Sequence, residues 1–313
     1  GLYFRRETTQ SLGMNDQAKG LLITAIGVLF VVPDSLFIRL IEASAPTITF
    51  WRGLTSGAFI LLGVLAVMGP SGFRAVLRTG FPGLIYMVLI AATAPGFVLA
   101  VKWTSVANVV FIIASMPVFA AIFSRIFLGE PISKRMVLTM SGVFVGLGII
   151  AWGSGETEGA SWQGDLVALG VSASFAGAMT AARQLRATSM IPAIPLAYIG
   201  ASLVIWPFAD PVAPLAAQWP LLLAHGAFIT VSTCLLTLGP RYIGSAEVAL
   251  LILLESVLAP LLVWAVIGED PGPWALAGGV VVIGVLFASN LWALRARRRM
   301  RNAPQPRVGP PVA

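Results

Sequence analysis

Read as apolar and polar positions, the chain is a series of long apolar runs separated by short polar breaks. Ten runs stand out, at about 18–41, 46–69, 81–101, 106–128, 135–152, 164–187, 192–209, 219–239, 245–267 and 273–294. A helix rises 1.5 Å per residue, and about 20 apolar residues cross a hydrocarbon layer about 30 Å thick. The runs do not alternate apolar with polar residues, so they do not read as the strands of a membrane barrel. The breaks are too short to hold a separate water-soluble domain. The pattern predicts an all-α membrane protein of ten transmembrane helices.

Composition agrees. Of the 313 residues, 58% are apolar and only 11% charged, with a mean hydropathy of +0.90. Soluble domains carry about 25% charged residues, so this chain cannot cover a surface that faces water. Its one cysteine, Cys234, lies in the eighth run. That excludes a disulfide framework and reads as packing rather than redox chemistry. Residues 1–13 are polar and precede Met14. They are expected to be an expression remnant or a disordered tail.

The formal net charge is +7, and its placement sets an orientation. Arg295, Arg297, Arg298, Arg299 and Arg301 follow the last run, and Arg74, Arg78, Lys134, Arg135, Arg186 and Arg241 lie in loops on the same side. Glu156, Glu158, Asp165, Asp210, Glu269 and Asp270 lie on the other. The positive-inside rule then predicts a multi-pass protein with both termini in the cytoplasm. It also accounts for the basic tail, 295–313, without a nucleic-acid partner.

The sequence repeats itself. IFLGEPI at 126–132 and VIGEDPG at 266–272 both end an apolar run on Gly-Glu. Sliding 102–130 onto 241–269 without a gap aligns Lys102 with Arg241, Trp103 with Tyr242, Gly129 with Gly268 and Glu130 with Glu269. SGVFVG at 141–146 then resembles GGVVVI at 278–283. Gly20 and Arg39 match Gly164 and Arg183. The chain divides into a first repeat, 14–153, and a second, 154–294, with five runs each. Five is odd, so the second repeat enters the membrane inverted. Inverted repeats build secondary transporters, with the substrate near the midplane between the halves. A central cavity is expected there.

Ten helices in two halves, the endings FLGEP and VIGEDP, and the glycine-rich helices after them resemble the drug/metabolite transporter (DMT) superfamily, EamA type, over 14–294. PTITFWR at 46–52 resembles the start of the second helix of that family, with Arg52 at the place of a common arginine. IPAIPLAYIGA at 191–201 departs from the pattern, having no such arginine. Within the superfamily the chain is most similar to the bacterial amino-acid exporters of the YddG kind. The resemblance implies export of small metabolites across the bacterial inner membrane by alternating access, amino acids including aromatic and apolar ones foremost. Drugs, nucleosides or other metabolites are the alternative substrates. A passive channel and a membrane-embedded enzyme are the readings from other classes.

Charged residues at depth are costly and are functional candidates by default. Glu255 lies near the centre of the ninth run; it would bind a substrate amine, carry a proton, or be a protonated acid bonded to a helix carbonyl. Asp34 either serves the same site or only pairs with Arg52 or Lys102, and Arg52 is a candidate partner for a carboxylate. Glu247 is expected to pair with Arg241. Arg39, Lys102, Arg125 and Arg183 fall near helix ends, where long side chains snorkel, and read as structural. His225, the only histidine, is either a hydrogen-bonded core residue or a substrate or proton site. Tyr86 and Phe30 are candidates to line a cavity. Ser115 and Ser256 either satisfy freed carbonyls or bind substrate. Pro33, Pro95, Pro117 and Pro260 interrupt helices and read as hinges or static kinks. Gly142 and Gly146 have the spacing of close helix packing, within the protein rather than across a dimer; either a monomer or a homodimer fits. Trp162, Trp219, Trp274 and Trp292 fit an interfacial belt. HExxH, a Walker lysine loop, GxSxG and paired Cys/His ligands are missing, so neither an enzyme nor a metal or cofactor is expected. Energy would come from a substrate or proton gradient.

Overall fold

The structure, a computed structural model, describes residues 2–154, 159–185, 188–238, 242–243 and 245–302, with side chains omitted for 2–16, 245–247 and 297–302. Arg186, Arg241, Glu156, Glu158, the Glu247 side chain and most of the basic tail therefore lie outside the described residues. Among those described, all regular structure is helical. Nine helices are long and apolar enough to cross a membrane: Gln17–Leu40, Ala45–Met68, Phe81–Trp103, Val106–Leu128, Lys134–Gly153, Trp162–Gln184, Leu215–Leu238, Val248–Ile267 and Pro273–Ala296. A shorter apolar helix, Ala193–Phe208, stands between the sixth and seventh of these. In chain order the ten are spans 1 to 10. Backbone helix continues from span 1 back to Leu2, and a short helix, Ser71–Leu77, which the sequence pattern did not predict, joins spans 2 and 3.

Local chemistry sets the ends. Ser44, Ser105, Ser133 and Ser161 cap spans 2, 4, 5 and 6, each accepting from a backbone N–H three residues on. Serine in this role satisfies one of the four donors that a helix start leaves free. Spans 4 and 9 end on Gly129 (φ 67°) and Gly268 (φ 74°). A Cβ at either would meet nothing within 4 Å, so glycine is needed for the left-handed turn and not for space. The turn stops the helix and sends the next residue, Glu130 or Glu269, across to a neighbour.

The prolines divide into two kinds. Pro33 and Pro117 accompany real breaks: span 1 is split into Leu2–Val31 and Asp34–Leu40, and span 4 into Val106–Ile113 and Met116–Leu128. Pro95 and Pro260 lie inside uninterrupted helices.

The inverted repeat is visible in the packing. Span 3 packs on span 6 as span 8 packs on span 1, while spans 5 and 10, and spans 2 and 7, pack on each other. Matching glycines make matching contacts. A Cβ on Gly20 would strike Tyr242 and Ile243, and one on Gly164 would strike Trp103 and Thr104. Spans 5 and 10 cross where a Cβ on Gly146 would lie 2.9 Å from the Gly278 carbonyl oxygen, and one on Gly278 2.6 Å from that of Gly146. The Gly142/Gly146 stripe is therefore taken up inside the protein.

The loops fall on two faces, a basic one with Arg74, Arg78, Lys134 and Arg135 and an acidic one with Glu42, Asp210, Glu269 and Asp270. Towards the acidic face one core joins the helices, with Ile38, Ile48, Val101, Val109, Ala168 and Val263 among its members. Towards the basic face the core splits in two. Ile60, Tyr86, Ala181 and Ile229 belong to a body from spans 2, 3, 6, 7 and 8, and Val118, Val143, Leu253 and Leu286 to a body from spans 4, 5, 9 and 10. Burial along span 4 follows the split. Val106 to Ile112 are all buried, but from Met116 to Leu128 only Val118 and Ser124 are.

Candidate functional site

Three of the sequence-predicted residues come together at one point. Asp34 begins the second half of span 1, just after the Pro33 break. Arg52, about two turns into span 2, donates from Nε to Asp34 Oδ1 at 3.0 Å and from Nη2 to Oδ2 at 2.6 Å. His225 of span 8 places Nε2 2.6 Å from Asp34 Oδ1. Asp34 is 3% exposed, Arg52 8% and His225 1%. Of the two partners proposed for Asp34, the structure selects Arg52 rather than Lys102. A buried carboxylate with a two-point guanidinium contact and an imidazole has its lone pairs well occupied.

Aromatic rings wall this cluster. Phe37 stacks on His225 at 5.2 Å and meets Phe228 edge-on at 5.3 Å, and Phe30 lies 5.0 Å from Phe228. The Arg52 guanidinium stands 5.7 Å from the centre of the Phe97 ring, within cation–π range. Tyr86 is buried in the basic-side body together with Tyr198.

Glu255 sits near the middle of the helix Ser245–Ile267. It is half-buried, on a helix that packs against both segments of span 1, including the Asp34–Leu40 segment. No hydrogen bond or ion pair to another described residue engages its carboxylate. The carbonyl-bonded alternative for this residue is thus not what the geometry displays. Next to it, Ser256 donates to the Val110 carbonyl at 3.5 Å, tying span 9 to span 4.

Ser115 donates to the Ile112 carbonyl at 2.6 Å within the span 4 break. Pro117 leaves the Ile113 carbonyl without its helical partner, and Ser172 of span 6 donates to it at 3.3 Å. Sequence reasoning missed Ser172, because no local pattern says which helix faces a proline break. It also missed Asn108. The Asn108 amide donates to Asp165 at 3.0 Å, and Thr104 donates to the same carboxylate at 2.8 Å. Ser154 donates to it as well. Asp165, expected at a membrane edge, is 7% exposed and accepts all three bonds, which makes it a tie between spans 4 and 6 and the ends of spans 3 and 5.

Two arginines expected only to snorkel are placed otherwise. Arg39 Nε lies 2.8 Å from Glu269 Oε2. Arg183 Nη2 lies 2.5 Å from Glu130 Oε1. The second pair lines a cavity of about 330 Å³ at the basic face, with Pro117, Ala121, Ser124 and Met136 also in its wall. Of the residues singled out as substrate, coupling or hinge candidates, only Pro117 borders it. Among the described residues no group of three His, Cys, Asp or Glu could hold a metal ion.

Ten apolar helices in two inverted halves, with ionised groups drawn together at depth, define a membrane transporter of the inverted-repeat class. The EamA-like transporter family matches the chain twice, over 18–152 and 162–291, and the chain belongs to that family. Each match lies within one of the two stretches of five runs. A solved crystal structure of a protein 17% identical superposes with a TM-score of 0.63, over 89% of this chain and 99% of the other. That likeness concerns the fold alone. No curated protein matches the sequence.

Proposed function

We propose that the protein exports small amphipathic metabolites across the bacterial inner membrane by alternating access, with apolar and aromatic amino acids as the foremost substrates. The observation that carries this reading is Glu255, a half-buried carboxylate with no hydrogen-bond partner among the described residues, on a helix packed against the segment that brings Asp34 to the buried Asp34–Arg52–His225 cluster. A charge held at depth without a partner is costly, and a substrate ammonium relieves that cost. Arg52 gives Nε and Nη2 to Asp34, which leaves Nη1 for a substrate carboxylate. Phe30, Phe37 and Phe228 offer an apolar surface next to these charges. The basic face is then the cytoplasmic one, from which an exporter loads.

The test is flux into proteoliposomes of labelled Phe, Trp, Met, Thr, Lys, Glu and a nucleoside, with and without a proton gradient. Saturable flux of Phe, Trp or Met above Glu and the nucleoside is the expected result. Flux that needs the gradient makes Glu255 and Asp34 proton carriers; flux that persists without it makes Glu255 a binding group. Preference for the nucleoside, with no amino-acid flux, overturns the substrate assignment.

A further inference from the structure

We propose that Arg39–Glu269 and Arg183–Glu130 are a matched pair of latches, one on each face, that decide to which side the transport path opens. The inference rests on the alternating-access reading above. Its carrying observation is a symmetry. Arg39 and Arg183 occupy equivalent places in the two repeats, as do Glu130 and Glu269. Each arginine pairs with the glutamate of the other repeat. Exchanging the repeats turns one ion pair into the other, and the inversion puts them on opposite faces.

Each pair also spans a boundary that has to move. Glu130 and Glu269 follow the glycine ends of spans 4 and 9, two of the helices whose basic-side segments form the body of spans 4, 5, 9 and 10. Arg183 ends span 6 and Arg39 ends span 1, outside that body. A carboxylate delivered by a left-handed glycine therefore reaches across from one body to its counterpart. This is why the same Gly-Glu recurs at both ends of the molecule.

The two latches are not equally tight. The acidic-face pair is 22% and 21% exposed. Arg39 also donates to the Thr104 carbonyl at 3.0 Å, and Glu269 accepts from the Val106 N–H at 2.7 Å, at the start of span 4. Beneath it lies the continuous core. The basic-face pair is 41% and 44% exposed, with one supporting bond from Arg183 to Ser124 at 2.8 Å. It borders a cavity, and the core beneath it is split. Exposed pairs are weak and partly buried, networked ones hold better. The structure is thus shut at the acidic face and held only lightly at the basic one.

The experiment reads conformation rather than flux. In a Cys234→Ala background, Ala121→Cys reports the basic-face cavity and Ala107→Cys, buried beneath the acidic-face pair, reports the opposite opening. Both are labelled with a membrane-impermeant maleimide in proteoliposomes of full-length protein. With both latches intact, the Ala121→Cys site is labelled and the Ala107→Cys site protected. Glu269→Gln should raise labelling of the latter at least five-fold and lower labelling of the former. Glu130→Gln should leave the Ala107→Cys site protected. The exchange Arg39→Glu/Glu269→Arg should restore the original pattern. Unchanged labelling in Glu269→Gln, or an exchange that labels like the single variant, overturns the latch. A shifted pattern in a protein that moves none of the tested solutes upholds the latch and sinks the substrate reading instead.

Discussion

Asp34 serves two partners at once, and this decides what neighbouring residues are free to do. Removing one member of a buried, hydrogen-bonded ion pair leaves an uncompensated charge and costs about 3–5 kcal/mol, while replacing both is often nearly neutral. Arg52→Met is therefore expected to lower the thermal midpoint in detergent, and Asp34→Asn/Arg52→Met to recover part of the loss. If the double variant unfolds earlier than the single one, Asp34 is held mainly by His225. Glu255 has the opposite character, because no described partner depends on it. Glu255→Gln should fold normally and reduce flux at least ten-fold, a loss of about 1.4 kcal/mol of binding or barrier, while Glu42→Gln, exposed on the acidic face, should transport as the unmodified protein does. Equal flux in the two variants at equal expression would remove Glu255 from the site. The candidacy of Glu255, Asp34 and Arg52 was legible from a charge inside an apolar run. Their mutual pairing was not, since they come from spans 9, 1 and 2.

At the scale of elements, helix ends were readable and helix neighbours only partly so. The Gly-Glu stops act through their own backbone, so they leave a local mark in the sequence. The prolines show the limit. Pro33 and Pro117 break their helices while Pro95 and Pro260 do not, though all four read alike in the sequence. What differs is the neighbour that takes up the freed carbonyl, such as Ser172 beside Pro117. The crossing of spans 5 and 10 gives the sharpest test here. At Gly146 an added side chain meets backbone that cannot rotate away. Gly146→Leu should cost about 1–3 kcal/mol, visible as a lower unfolding temperature, whereas Gly148→Leu, with nothing within 4 Å of its Cβ, should be tolerated. Similar losses at both positions would mean the crossing is looser than the contact implies.

For the whole molecule, the governing feature is that one side is sealed and the other is split. A continuous core lies on the acidic side and two separate bodies on the basic side, and under the proposed alternating access the two bodies would pivot about the sealed end. Repeats that can exchange roles allow the reverse arrangement with the same contacts, so the two states can be close in energy. The orientation prediction belongs to this scale: a protease added to sealed inside-out vesicles should cleave after the basic tail beyond residue 296, and one added to right-side-out vesicles should not. Cleavage in right-side-out vesicles alone would invert the assignment of faces.

By itself the sequence determined that the chain spans a membrane as helices, where those helices run, and that it is a repeat turned over on itself. Those properties follow from the length, apolarity and odd number of runs, which are additive along the chain. Only the tertiary structure decided that Arg39 and Arg183, which read as snorkelling side chains, each bind the Gly-Glu carboxylate of the other repeat. It also decided that Asp34 is spent on Arg52 and His225 while no described residue bonds the Glu255 carboxylate. Such pairings depend on which faces of distant helices meet, and in an apolar chain nearly every face can pack, so periodicity carries little information about the choice.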